Sequence, residues 1–252
     1  MTDPSSLTSA VRRAAHRAVD GLAGGRFGSI DGVRTDQPLV ALTFDDGPDP
    51  EWTPRVLETL ARNATHATFF MLVQNARRHP HLVRRAVAEG HEVALHGPDH
   101  RSLAGARRRA TRMVLGHAAH ELRAISGAPV HYFRPPFGDL TPASFLAIRD
   151  AGLACVVWDL DSLDWRGGDE RLVATEVVTR TVPGNIVLLH DGCAGEGRRD
   201  FDRAKALQLV LDGFRRRSLH STTLSALFAS GNTHRTVWFS RSHVSSPKGV
   251  PA

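Results

Sequence analysis

The sequence predicts an α/β fold, a closed or nearly closed β/α barrel of about seven parallel strands. Short runs of continuously apolar residues recur along the chain, as expected of strands that are covered on both faces. Amphipathic segments separate these runs, and such alternation is typical of parallel strands joined by right-handed helical crossovers. No linker interrupts the series within the 252 residues, so one barrel is favoured over two domains.

The predicted strands are the apolar runs, and several of the intervening helices have recognisable ends. Pro80 opens one helix, and Gly90 follows its last turn. Thr141 and Pro142 form the N-cap and first turn of another helix. The longest helical pattern extends over Ala106–Ser126. The predicted strands are Leu39–Phe44, Ala67–Val73, Glu92–His96, Tyr132–Arg134, Leu153–Leu160, Ile186–His190 and Leu219–Thr223.

The barrel is predicted to occupy residues 36–230, with an extension on either side. Residues 1–35 are expected to form an amphipathic helix over Ser6–Ala23 and a glycine-containing linker, whereas residues 231–252 are expected to be a disordered tail. The predicted N-terminal helix lacks the apolar centre of about 7–15 residues that a secretory signal requires. No apolar run reaches the roughly 18 residues of a membrane span. By sequence alone, therefore, the expected location is cytoplasmic.

Composition and charge exclude several functional classes. The net charge is +6, and all but two of the 32 cationic residues are arginine. The arginine clusters carry no interleaved aromatic residues on which bases could stack, so no nucleic-acid partner is expected. The two cysteines exclude a disulfide scaffold and a Cys₄ zinc module.

Polar residues follow the predicted strands at the points where a barrel places its chemistry. Asp45 and Asp46 follow the first strand, and adjacent carboxylates point in different directions, so one can bind a cation while the other accepts protons. The third strand ends in His96, and His100 follows four residues later. With Asp46, these histidines provide two imidazoles and one carboxylate, a set that suits catalytic zinc and equally the facial triad of iron(II).

The later strand ends add a cation, an aromatic side chain and a further histidine. Arg134 ends the fourth strand and can pair with a carboxylate. Asp164 and Trp165 follow the fifth, and an aspartate beside an exposed indole is typical of a sugar-binding cleft. His190 ends the sixth strand, and a histidine held by an aspartate can serve as a general acid near neutral pH.

Taken in order, these segments resemble the five motifs of the NodB-like polysaccharide deacetylases, carbohydrate esterase family 4. The resemblance covers about residues 38–228, most of the chain, and the ordered set is highly specific. The five segments are Thr43-Phe44-Asp45-Asp46-Gly47-Pro48, His96-Gly97-Pro98-Asp99-His100, Arg134-Pro135-Pro136-Phe137-Gly138, Asp161-Ser162-Leu163-Asp164-Trp165 and Leu188-Leu189-His190.

The resemblance implies a distorted (β/α) barrel of the NodB homology type and an enzyme that removes acetyl groups from N-acetylglucosamine-containing glycans. Chitooligosaccharides and peptidoglycan are the expected substrate types, and an acetylated glycan is the expected partner. Asp46, His96 and His100 would hold a divalent metal, expected to be Zn²⁺, although other divalent transition metals remain open. The family usually acts at the cell envelope or outside the cell, which conflicts with the missing secretory signal.

The resemblance also implies the catalytic roles. Asp45 would be the base, tethered by Arg134, and would take a proton from the water that the metal activates. His190 would be the acid, tuned by Asp164. The implied substrate-contacting residues are Phe137, through its backbone N–H, together with Leu188 and Trp165.

One departure from the family pattern is visible between the metal-binding histidines. The family usually has Ser or Thr where this chain has Gly97, and Pro98 follows. Both histidines are present, so we expect metal binding to persist. The sequence does not predict how this change affects the loop, nor the oligomeric state.

Two other functions stay open on the same residues. An acetyl-ester hydrolase of the acetylxylan type, or a C–N hydrolase of small amides, would use the same constellation. A glycan-binding protein without catalysis is disfavoured, because loss of activity usually removes a metal ligand or the base, and none is missing here.

Overall fold

The computed structural model describes residues 28–166, 169–192 and 201–236 and confirms the predicted α/β fold. The predicted N-terminal helix lies outside these residues. The strands are β1 Ser29–Arg34, β2 Leu39–Asp45, β3 Thr68–Leu72, β4 Glu92–Gly97, β5 Tyr132–Phe133, β6 Ala154–Cys155, β7 Leu160–Asp161, β8 Ile186–His190, β9 His220–Thr222 and β10 Asn232–Thr236.

Helices follow most of the parallel strands, as the alternation in the sequence predicts. The α-helices of the described residues are α1 Trp52–Arg62, α2 Val73–Arg78, α3 Pro80–Ala88, α4 Arg108–Ser126, α5 Pro142–Asp150, α6 Glu170–Arg180, α7 Arg203–Arg216 and α8 Leu224–Ala229, and a 3₁₀ turn spans Pro136–Gly138. Among the described residues, no helix is both long and apolar enough to cross a membrane.

The main sheet is parallel and curled. Its strand order is β6-β5-β4-β3-β2-β8-β7, and β9 pairs in parallel with the first part of β2. The two strands at the ends of this order, β6 and β7, are joined by residues 156–159 alone. Because so short a link spans at most about 18 Å, the sheet must bend round on itself. This is the distorted barrel that the sequence predicts.

Alternation along β2 places the site at the inner side of this curl. Val40, Leu42 and Phe44 belong to the cluster that packs against the helices. Ala41 belongs to the second, inner cluster. Successive strand residues face opposite sides, so Asp45 lies on the inner side, where β2 ends.

The structure differs from the sequence-based expectation in two places. The apolar run over 153–160 forms two short strands, β6 and β7, rather than one. An antiparallel ribbon, β1 paired with β10, lies in segments that were expected to be linker and tail. Ile30 and Val33 of β1 belong to the inner cluster. Burial of these two side chains therefore stabilises one face of the ribbon against the sheet.

Candidate active site

The turn after β2 separates two adjacent carboxylates. Asp46 has a φ of 76°, a conformation that non-glycine residues rarely adopt. Asp45 pairs with a buried arginine at 2.7 Å and lies 3.8 Å from His96, whereas Asp46 lies within 3.5 Å of both His96 and His100. The neighbouring side chains therefore have different partners and can have different functions.

Arg134 fixes Asp45 from inside the curl. Its side chain is fully buried, and Nη1 donates to Asp45 Oδ1 at 2.7 Å and to Thr43 Oγ1 at 2.8 Å. Nη2 donates to the carbonyl oxygen of Val157 at 3.1 Å, and the guanidinium lies 4.1 Å from the ring centre of Phe70. A buried ion pair is tolerated only when further hydrogen bonds satisfy it, and these contacts supply them.

Asp46, His96 and His100 form a group that fits a divalent metal. One potential ligand atom from each residue lies within 4.8 Å of the others. The Nε2 atoms of His96 and His100 lie 3.5 Å and 3.3 Å from the same oxygen, Asp46 Oδ1. Two imidazoles and one carboxylate are typical ligands of catalytic zinc and of other divalent transition metals. Among the described residues, this is the one group of at least three histidine, cysteine or acidic side chains whose potential ligand atoms lie this close together.

The protonation of this group also suits a cation. The carbonyl oxygen of Arg134 can only accept, so His96 Nδ1, 2.8 Å away, carries a proton and Nε2 is the nitrogen that would face a cation. Burial lowers the pKa of His100, which favours the neutral, ligating imidazole. Burial alone would raise the pKa of Asp46, but its hydrogen bond with His96 and the nearby histidine charges hold that pKa well below its usual range.

A second Asp–His arrangement lies at the end of β8. Asp45 and His190 are register partners, so the two strand ends are adjacent. His190 Nδ1 lies 2.7 Å from Asp164 Oδ1, and its backbone N–H donates to Asp164 Oδ2 at 2.9 Å. Burial opposes a charge on His190, but the carboxylates of Asp164, Asp46 and Asp45 outweigh it and raise the pKa to about 10. His190 therefore carries a proton at neutral pH.

The predicted substrate-contacting residues differ in exposure. Phe137 is 61% exposed, has a φ of 60°, and its ring meets that of His100 edge-on at 4.3 Å. Leu188 is 3% exposed on β8. Trp165 is half-buried, and the guanidinium of Arg166 lies 4.7 Å from its ring centre. The structure thus places an exposed aromatic ring beside the group that fits a divalent metal.

Sequence reasoning assigns no role to Asp161, which organises the loop before Trp165. Its Oδ1 accepts from the backbone N–H of Leu163 at 2.8 Å and from Trp165 Nε1 at 3.3 Å. Burial raises the pKa of this carboxyl group. The signal available in the sequence is an aspartate two residues before the N–H that it accepts, which is the spacing of an Asx turn.

Comparisons with known proteins agree with this geometry. The polysaccharide deacetylase family matches residues 32–156. A chitooligosaccharide deacetylase of Sinorhizobium fredii is 41% identical over 160 residues, which are 63% of this chain and 74% of that protein. The structure of a peptidoglycan N-acetylglucosamine deacetylase has a TM-score of 0.75 and 27% identity, covering 82% of this chain and 95% of that one.

A third similar protein has a different activity. The structure of a family 4 acetyl xylan esterase from Clostridium thermocellum, in complex with a cobalt ion, has a TM-score of 0.69 and 29% identity. It covers 76% of this chain and 90% of that one. The fold, the residues matched and the identity to the rhizobial relative lead to one conclusion. The chain belongs to the polysaccharide deacetylase family of enzymes.

Proposed function

We propose that this protein is a metal-dependent hydrolase that removes N-acetyl groups from N-acetylglucosamine-containing glycans of the chitooligosaccharide or peptidoglycan type. The observation that carries the proposal is that the Asp46, His96 and His100 group lies beside a carboxylate and near a protonated imidazole. Asp45 Oδ2 lies 3.8 Å from His96 Nε2, and Asp45 is the register partner of His190, whose raised pKa of about 10 keeps it protonated. This is the set of groups that amide hydrolysis needs.

Asp46, His96 and His100 would hold the metal, and zinc is the cation that we propose. When bound, the metal supplies Lewis-acid polarisation of the acetamide carbonyl and lowers the pKa of the attacking water. Asp45 accepts a proton from that water. Arg134 keeps Asp45 in place, because its guanidinium donates to one carboxylate oxygen, Oδ1, and leaves Oδ2 for the proton.

His190 serves the second half of the reaction. When the C–N bond breaks, the nitrogen must receive a proton, since an amide anion is a poor leaving group. His190 Nδ1 is engaged by Asp164, so Nε2 is the atom that donates this proton. The products are acetate and a free amine on the sugar. Phe137, through its backbone N–H, would stabilise the oxyanion, and Leu188 and Trp165 would border the acetyl pocket and the groove.

The test combines metal analysis with acetate release. The purified chain is assayed on chitin oligosaccharides, peptidoglycan and acetylated xylan, before and after chelation and again after zinc is restored. We expect acetate from the first two substrates, loss on chelation and recovery with zinc. Bound zinc without acetate release from any glycan or ester would contradict the proposal and favour a glycan-binding protein.

An acetyl-ester hydrolase is the second candidate, and the likeness to the acetyl xylan esterase favours it. The two activities differ in their need for an acid, because an alkoxide leaves more readily than an amide nitrogen. His190→Ala should therefore lower amide hydrolysis far more than ester hydrolysis. Equal losses on both substrates, with xylan the faster substrate for the wild type, would favour the esterase.

We assign the proposed activity to residues 36–230, with residues 1–35 and 231–252 as extensions. The ribbon of β1 and β10 lies outside these bounds, yet its apolar residues join the inner cluster. Experiments on the activity should therefore use the full chain.

A further inference from the structure

Asp191 is a fully buried carboxylate that the proposed reaction does not use. It directly follows His190, and its side chain has no exposed surface. Thr53 Oγ1 donates to Asp191 Oδ2 at 2.5 Å, and the same Oγ1 accepts from the backbone N–H of Asp49 at 2.8 Å. The other oxygen of Asp191, Oδ1, is buried without a hydrogen-bond partner among the described residues, and burying such an oxygen is costly, so its presence at this position needs a reason.

The carboxylate of Asp191 packs against the backbone of the turn that carries Asp46. A Cβ placed on Gly47 would lie 2.7 Å from the carboxylate carbon of Asp191 and closer still to both oxygens. A Cβ placed on Gly192 would lie 2.7 Å from the carbonyl carbon of Asp46. Real Cβ contacts are not this short, so both glycines are required by the close approach of the two segments.

The same turn is fixed on its other side by α2 and β3. Asn75 Nδ2 donates to the carbonyl oxygen of Asp46 at 2.8 Å, and the backbone N–H of Leu72 donates to that of Gly47 at 2.9 Å. The turn is therefore held between these two donors and the Asp191 carboxylate. The backbone N–H of Asp191 also donates to the carbonyl oxygen of Asp45 at 3.2 Å, which ties the end of β8 to the end of β2.

We propose that Asp191, oriented by Thr53, is a positioning residue that seats the Asp46 turn for metal binding. The inference rests on the proposed function, since it assumes that Asp46 is a metal ligand. Groups that orient a metal ligand without contacting the metal commonly change metal affinity by about 10- to 100-fold when they are removed. Asp191 acts here through shape and a hydrogen bond, and it does not touch the substrate.

The test measures the Kd for zinc by competition with a chromophoric chelator, alongside the thermal midpoint of each variant. Thr53→Val removes the hydroxyl while keeping the shape, and Asp191→Ala removes the carboxylate. We expect both to weaken zinc binding by about 10-fold or more. Thr53→Ser and Asp191→Asn keep the donor and the acceptor, so zinc binding in these variants should stay close to wild type.

Thr181→Val is the matched control. Thr181 is also fully buried, and its Oγ1 donates to the carbonyl oxygen of Val177 at 2.6 Å, within the end of α6 and away from the site. This variant should lose thermal stability and keep the wild-type Kd. An unchanged Kd in folded Thr53→Val and Asp191→Ala, or an equal loss in Thr181→Val, overturns the inference alone. A wild-type chain that binds no zinc overturns the proposed function with it.

Discussion

The candidate site contains two clusters built from the same residue types, and the histidine pKa shifts in them have opposite directions. On the cation side, two imidazole nitrogens converge on one oxygen of Asp46, and His100 has a lowered pKa. On the acid side, both oxygens of Asp164 contact one residue, His190, whose pKa is raised to about 10. One carboxylate shared by two imidazoles leaves lone pairs for a metal, whereas one carboxylate devoted to a single imidazole keeps it protonated.

The two histidines also differ in the group that accepts their Nδ1 proton. His96 donates it to a neutral carbonyl group, which orients the ring and leaves Nε2 facing Asp46. His190 donates its Nδ1 proton to a carboxylate, which stabilises the imidazolium. Four experiments test this contrast between the cation side and the acid side.

Loss of a metal ligand should have the largest effect. His96→Ala and His100→Ala each remove one of the three proposed metal ligands, so we expect bound zinc to fall to background. Acetate release should fall by about 10³-fold or more, since a catalytic metal contributes several kcal/mol to the transition state. Zinc content by mass spectrometry and acetate release measure the two effects. His117→Ala is the control, because this exposed histidine on α4 lies 3.9 Å from Glu121, outside the site. Full zinc occupancy in both variants would show that the cation side is wrongly assigned.

Asp45→Asn should separate proton transfer from metal binding. The substitution keeps the shape and removes the proton acceptor, so we expect kcat to fall by about 10²- to 10⁴-fold while zinc content stays at the wild-type level. Single-turnover acetate release and metal analysis of the same sample provide the measurement. Wild-type turnover in this variant would refute Asp45 as the base.

Asp164→Asn should shift the pH dependence of the acid side. Removing the carboxylate removes stabilisation of the imidazolium, so the pKa of His190 falls, by about 1–3 units for a close ion pair. The proton-donating form is then lost at lower pH, and the alkaline limb of the kcat/KM profile moves towards acid. Asp212→Asn, on α7 beside Arg215, should leave the profile unchanged. An alkaline limb that does not move would mean that His190 is not the group that limits activity at high pH.

Phe137→Ala should have the smallest effect of the four. The ring of Phe137 packs edge-on against His100, and such aromatic contacts contribute about 0.5–1.5 kcal/mol. We expect zinc to bind about 2- to 12-fold more weakly, and Phe137→Tyr to restore the affinity. The measurement is the zinc Kd from chelator competition. If the alanine variant binds zinc as tightly as the wild type, the ring does not steady His100.

Local patterns in the sequence are sufficient to predict the parallel strands and the order of the motifs along the chain. β8 extends over Ile186–His190, the predicted run, because a continuous apolar segment there ends at a polar residue. The apolar run over 153–160 predicts one strand, but it forms β6 and β7. A continuous apolar segment does not indicate the point at which the chain leaves one end of a curled sheet and joins the other. The ribbon of β1 and β10 was missed because its residues are largely polar or glycine and its partner strands are far apart in sequence.

The sequence predicts which residues come together at the candidate site. It does not predict the contacts by which neighbouring residues hold them in place. The position of Arg134 at a strand end predicts only that it pairs with a carboxylate, and the family resemblance implies that this carboxylate is Asp45, as the structure shows. The contact between Phe137 and His100 joins two loops and depends on a left-handed backbone conformation at Phe137. The seat formed by Asp191 depends on close approach to two glycines. Neither feature has a sequence spacing that would predict it.

The β1–β10 ribbon has a consequence for how the chain folds and how it can be rewired. Ser29 is the register partner of Thr236, and residues of the two strands make contacts 207 positions apart. Closing so large a loop carries a high entropic cost, so this pairing should form late in folding. Partner residues of antiparallel strands lie about 5 Å apart, so a short peptide could join Thr236 to Ser29. In a circular permutant that contains this link and is opened at another loop, β10 and β1 become a local hairpin. This permutant should refold faster than the protein with the native order of segments.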